Sequence, residues 1–205
     1  MDNRAGDDDM NAMTPPPASR EELVAALHAR GLCYLAPTPR GDERPLDDDE
    51  LIAGLAASPD ARLRFALAAL LLAHPALAER AAALVQGQAS FALDDAARAE
   101  IRKQYLAAMY LQRMWRTRLR MHFGETPLIQ ERFAREMGLP PADAMFGELG
   151  LRALTERSAY NDWSSYEQVV DLLCEQPCAT PDFSLPTPHT APAHRESGVG
   201  SNTPR

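Results

Sequence analysis

Proline decides where this chain can fold. Of its 17 prolines, Pro15, Pro16 and Pro17 stand near the start, and Pro177, Pro181, Pro186, Pro188, Pro192 and Pro204 are strung through the end. Each removes an amide donor and fixes φ, so neither end sustains a helix or a central strand. Asp7, Asp8 and Asp9 add like-charge repulsion at the N-terminus. The expected layout is a disordered acidic, proline-rich tail over 1–18, one helical domain over 19–176, and a disordered proline-rich tail over 177–205. A chain of 205 residues has room for one such domain.

Between the tails the punctuation is helical. Aromatics make up 6% of the chain and alanine is abundant, which favours helices. Ser19 followed by Glu22 forms a capping box, and Gly31 supplies a left-handed stop. Asp48 to Ala57 is a short helix fed by the acidic run from Asp42 to Glu50, whose carboxylates suit a helix N-terminus. Ser58 and Pro59 read as the cap and first residue of the next helix. Its stripe of Leu63, Ala66, Leu67, Leu70 and Leu71, widened by Phe65 and Leu72, is apolar nearly all round and marks the central core helix. Ala76 to Val85 follows Pro75. A helix of near 30 residues is expected from Asp94 to Phe123, stopped by Gly124.

Thr126 with Pro127 opens another helix ending at Gly138, and a further one runs from Phe146 to Arg157. Ser164 with Glu167 caps the last, Tyr166 to Cys174. The expected fold class is all-α, a single compact multi-helix domain of seven or eight helices with disordered N- and C-terminal tails. Leu67, Leu70, Leu71, Leu111, Trp115 and Val170 belong to its buried centre. No unit repeats at a fixed period, which argues against a solenoid.

Charge is unevenly spread. The chain carries a net −8, yet Arg98, Arg102, Lys103, Arg113, Arg116, Arg118 and Arg120 face one acid, Glu100, between positions 98 and 120. On a continuous helix Arg98, Arg102, Arg113, Arg116 and Arg120 fall within about 60° of one another, with Tyr105 and Met109 along the same line. These five are the candidate partner-binding residues, because guanidinium groups engage carboxylates and phosphates bidentately. The alternatives are a solvated face or internal pairing with the acidic run. The acidic whole favours a protein partner over nucleic acid.

Catalytic signatures are scarce. The chain has no phosphate-binding glycine loop, nucleophile elbow or H-E-x-x-H, so no catalytic residue, cofactor or metal is expected. One alternative uses Arg116 and His122, whose R-x5-H spacing is compatible with the R-x4–6-H motif of HEPN ribonucleases, all-helical proteins that cleave RNA without metal. The pair would stand about 120° apart on an unbroken helix, so it converges only if the helix ends between them. Cys174, Cys178, His189 and His194 approach a two-Cys, two-His zinc spacing, but Pro186, Pro188 and Pro192 forbid the helix such a site needs. Cys33 reads as a small packed hydrophobe. Three cysteines, no apolar N-terminal segment and no run long enough to span a bilayer point to the cytoplasm and to no membrane.

RLRFALAALLLAHP at 62–75, YLAAMYLQRMWRTRLR at 105–120 and FGELGLRALTER at 146–157 together resemble a group of uncharacterised bacterial all-helical proteins associated with neighbouring nucleotidyltransferase-fold proteins. The resemblance implies the helical, non-nucleotidyltransferase member of a two-component pair, of which toxin–antitoxin modules are one form, and assigns no functional residue. The expected function is a non-enzymatic cytoplasmic interaction protein, antitoxin-like or an accessory partner of a nucleotidyltransferase. A HEPN-like ribonuclease and a nucleic-acid-binding regulator are the alternatives.

Overall fold

The computed structural model describes residues 18–36, 44–88, 91, 93–158 and 163–175; except for Ala18, both expected tails lie outside them. Among the described residues there are eight α-helices and no strand. They are α1 (Arg20–His28), α2 (Asp48–Ala57), α3 (Ala61–Ala73), α4 (Leu77–Val85), α5 (Asp95–Met114), α6 (Arg116–Phe123), α7 (Glu148–Glu156) and α8 (Trp163–Glu175), with a 3₁₀ turn at Ala144–Gly147. The fold is all-α.

Two capping boxes set the first half. The Ser19 hydroxyl accepts from the Glu22 amide at 3.2 Å while the Glu22 carboxylate accepts from the Ser19 amide at 2.7 Å. Asp47 and Glu50 repeat the exchange at the head of α2. The acids of the run beginning at Asp42 then find partners nearby: Asp48 pairs with Arg30 at 2.6 Å, Asp49 with Arg80 at 2.9 Å and Glu50 with Arg44 at 2.8 Å. Gly31, at φ +81°, turns the chain out of α1. The side chains of His28 and His74 reach carbonyls outside their own helices. His28 Nε2 lies 2.7 Å from the Leu35 carbonyl and His74 Nε2 lies 2.8 Å from that of Arg30, tying down the loop after α1. Cys33 in that loop is exposed rather than packed.

The start of α3 differs from expectation. Its cap is Asp60, whose carboxylate accepts from the Arg62 amide at 2.9 Å; Ser58 ends α2 and accepts from the Asp60 amide. An acid at this position also favours the helix dipole, which serine does not. Likewise α8 begins at Trp163, so Ser164 lies inside it.

The axis of the molecule is α5, against which α2, α3, α4 and α7 all pack. Every residue from Gln104 to Gln112 is buried. α3, expected as the centre, is buried from Ala66 to Leu72 but shares that place with α5. Leu67, Leu70, Leu71, Leu111 and Val170 are sealed in the core; Trp115 is only half-buried.

The single long helix expected from 94 to 123 is interrupted at Trp115 (φ −107°, ψ 22°). The break is inexpensive, because the Trp115 amide still donates to Leu111 O at 2.8 Å and the Leu119 amide to Trp115 O at 2.9 Å. It lets α6 pack against α8, where Arg118 hydrogen-bonds Asp171.

The helix expected over 126–138 is absent. Residues 126–132 are irregular and 133–138 bend and turn, with Phe133 at φ +65°. Pro127 brings no amide, and α5 supplies the bonds that a helix would have made. The Gln112 amide nitrogen donates to Pro127 O at 2.9 Å, and its carbonyl accepts from the Ile129 amide at 2.7 Å. The Tyr105 hydroxyl donates to Gln130 O at 2.8 Å, and that of Tyr110 to Pro140 O at 2.7 Å. Backbone groups of an irregular buried segment must be paired somewhere, and here side chains of the axial helix pair them.

Gln112→Leu keeps the bulk but strands the buried Ile129 amide, and is expected to cost about 2–4 kcal/mol in a urea unfolding titration. Burial pushes the phenols of Tyr105 and Tyr110 up to about 12, so both stay neutral donors in the folded chain. An unfolded tyrosine ionises near pH 10. The stability these groups contribute is therefore complete below about pH 10 and drains away as pH rises to about 12. Melting temperatures across that window, compared with those of Tyr105→Phe and Tyr110→Phe, check it.

Candidate functional site

The five arginines proposed as one stripe are divided by the core. Tyr105 and Met109, which continue their line along α5, are wholly buried. At one end, Arg98 pairs with Asp95 at 3.3 Å, and the Arg102 guanidinium stands 5.6 Å from the centre of the Phe133 ring. At the other end, Arg113, Arg116 and Arg120 lie across the Trp115 break and do not share one helix.

Those three have different fates. Arg113 belongs to the fold: its side chain is 11% exposed, it donates to Met109 O at 3.1 Å, and its Nε lies 3.6 Å from the Asp143 carboxylate. Arg120 pairs with Glu125 at 3.1 Å on the open surface, an interaction worth at most about 1 kcal/mol. Arg116 is exposed and makes no ion pair with a described residue. None of the three pairs with a described member of the acidic run, of which Asp48, Glu50 and Asp49 are held by Arg30, Arg44 and Arg80 and Asp47 caps α2. A shallow cleft beside Arg116 and Arg120 is lined also by Thr126 and Leu128 of the irregular segment.

The loop from Asp143 to Gly147 adds what the sequence reading did not contain. Both its ends touch Arg113: Asp143 through the ion pair, and Gly147 by close approach, since a Cβ there would stand 3.3 Å from Arg113 Cβ and 2.5 Å from the Tyr110 carbonyl. Only glycine fits at that contact, and its φ of +94° also suits glycine. Gly150, one turn on, abuts the Tyr110 ring, where a Cβ would be 2.0 Å from Cε1. The two glycines that weaken the helix pattern of 146–157 are thus what lets α7 seat on α5.

Between Asp143 and Gly147 stand Met145 (φ 45°, ψ 47°) and Phe146 (φ 56°, ψ 30°), two consecutive left-handed residues with side chains. They therefore precede α7 rather than open it. Phe146 is 81% exposed and Met145 60%. Left-handed backbone costs a side-chain-bearing residue about 1–2 kcal/mol, and an exposed Phe or Met forgoes burial worth about 1.5–3 kcal/mol. Both costs fall in a loop whose two ends rest on Arg113. Strain of this kind collects where it serves binding. Periodicity cannot signal it, since FGELGLRALTER reads simply as helix; the only trace in the sequence is Gly147 following two large apolar residues.

The remaining candidates do not assemble. Arg116 and His122 sit on the unbroken α6, about 120° apart around its axis, and the His122 ring packs edge-on against Phe123 at 4.5 Å. The helix does not end between them. Cys174 is half-buried near the end of α8, and Cys178, His189 and His194 lie outside the described residues. Residues 159–162 lie outside them too, while Trp163 packs against the core. Among the described residues no helix is long and apolar enough to cross a membrane. No family model, curated protein or solved structure matches this chain.

Phe146→Gly removes a side chain that the fold does not bury and relaxes a left-handed residue. It is expected to raise stability by about 0.5–1 kcal/mol, read as a higher melting temperature.

Proposed function

We propose that this chain is a non-enzymatic cytoplasmic interaction protein that docks an acidic protein partner through Arg116, Arg120 and the Met145–Phe146 loop. The observation that carries the reading is the loop itself: two left-handed apolar residues held out in water on a loop whose ends rest on Arg113, three residues before the exposed Arg116. Aromatic and arginine side chains dominate binding energy at protein interfaces, aromatics by filling pockets and arginines by bidentate contact at the rim. Arg113 supports the loop from beneath and is a positioning residue. Arg98 and Arg102 stand at the other end of α5 and act, in this reading, as a secondary contact.

The resemblance of the 62–75, 105–120 and 146–157 segments nominates the partner class, a nucleotidyltransferase-fold protein encoded alongside, for which this chain is the accessory or antitoxin-like subunit. The partner should offer an apolar pocket rimmed by carboxylates.

The test is whether a nucleotidyltransferase gene adjoins this one and its product co-purifies with this chain, followed by a titration of the pair; the lack of such a gene overturns the partner class. Arg116→Glu with Arg120→Glu, and separately Phe146→Ala, are expected to leave the melting temperature of the isolated chain level or higher. Each should weaken the complex by at least about 30-fold, the size of an interface hot spot. Unchanged affinity in both variants overturns the interface. Binding to RNA that falls steeply with salt, or RNA cleavage in chelator that His122→Ala abolishes, would transfer the protein to one of the other classes.

A further inference from the structure

A second recess shares no residue with the arginine face. It is a groove of about 410 Å³ between the loop after α1, the head of α3 and one side of α8. Its size falls in the range of small-molecule sites, about 300–1,000 Å³. Tyr34, Leu35, Phe65, Val169 and Leu172 give it an apolar lining, and Arg62 is its one cation. Ser165 and Gln168 add neutral polar groups. The wall is built in advance: the Phe65 ring meets the buried Tyr166 edge-on, 5.0 Å between centres.

The charge of the lining selects the occupant. Among the described residues no carboxylate lines the groove, and Arg62 makes no ion pair with any of them. Asp60, just upstream, is already engaged, accepting from the Arg62 amide at 2.9 Å and facing Arg20 at 3.7 Å. Two positions along, Arg64 behaves differently. Its guanidinium donates to the carbonyls of Ser58 and Pro59 and lies 3.8 Å from Glu100, so it is consumed by the fold. Arg62 is left at the edge of an apolar recess. We infer that this groove binds a small amphipathic anion, one carboxylate on an apolar body, with the carboxylate on Arg62 and the body against Phe65, Val169 and Leu172. A neutral apolar molecule would use the lining and leave the guanidinium idle; a strongly polar anion would leave the lining idle.

The probes are octanoate and its uncharged counterpart 1-octanol, titrated into the full chain while the amide resonances of Val169 and Leu172 are followed by NMR. Octanoate is expected to shift both resonances saturably and to bind more tightly than octanol. Arg62→Glu should weaken octanoate about tenfold and leave octanol unchanged, as expected for loss of a charge-assisted contact. Gln168→Trp, a substitution at an exposed position, fills the groove and should abolish both. Equal affinity for the two probes, or indifference to Arg62→Glu, overturns the anion assignment. Shifts scattered away from Val169 and Leu172, or binding that survives Gln168→Trp, overturns the site.

Discussion

Everything in this fold answers to the burial of α5 from Gln104 to Gln112 on all sides at once. A helix is a cylinder, and α2, α3, α4 and α7 cover much of its circumference. Against it also lies an irregular segment, which has no helix or ladder of its own to satisfy its amides and carbonyls. Polar residues on the axial helix therefore become compulsory: Gln112 bridges Pro127 and Ile129, and Tyr105 and Tyr110 reach Gln130 and Pro140. Such groups contribute modestly when paired and cost heavily when orphaned. They hold the second half of the chain in register with the first more strictly than apolar packing would.

That arrangement explains which parts of the molecule were legible in the sequence. Where local chemistry decides, the reading and the structure coincide. The Ser19 box, the acidic head of α2 and the left-handed stop at Gly31 are settled within a turn of themselves. So is the apolar circumference of α3. Where a distant side chain decides, periodicity misleads. Ile129, Phe133 and Ala134 are buried at spacings a helix would also give, yet Gln112, seventeen positions upstream of Ile129, takes the hydrogen bonds of Pro127 and Ile129. The Trp115 break is equally tertiary, since both flanking hydrogen bonds survive it and only its packing partners reveal it.

The candidate site divides the same way. That positions 98–120 carry an excess of arginine is plain from composition, and their division by buried Tyr105 and Met109 is not. The feature on which the proposed docking surface rests, the left-handed Met145–Phe146 pair, arises where Gly147 and Gly150 bring α7 down onto Tyr110 and Arg113. The loop before α7 must turn sharply to allow that approach. A sequence of large apolar residues before a glycine cannot disclose which of them the turn will expose.

An exposed arginine is at home in water, so a missing ion pair alone distinguishes nothing. The distinction lies in what stands beside the cation. Arg30, Arg64, Arg113 and Arg118 are bound into the fold by carbonyls, carboxylates or ring faces. Arg116 and Arg62 are not, and each borders apolar surface that the fold has left uncovered: Leu128 near the one, and the groove of Phe65, Val169 and Leu172 beside the other. Water serves a guanidinium well and an adjoining apolar surface badly, so the pairing of the two selects an occupant with both an acid and an apolar body. The two surfaces differ in scale. A protruding Phe146 suits the pocket of a macromolecule, whereas a recess of about 410 Å³ suits a molecule it can enclose. The convex face and the concave one therefore call for different classes of partner, although the chemistry at their rims is alike.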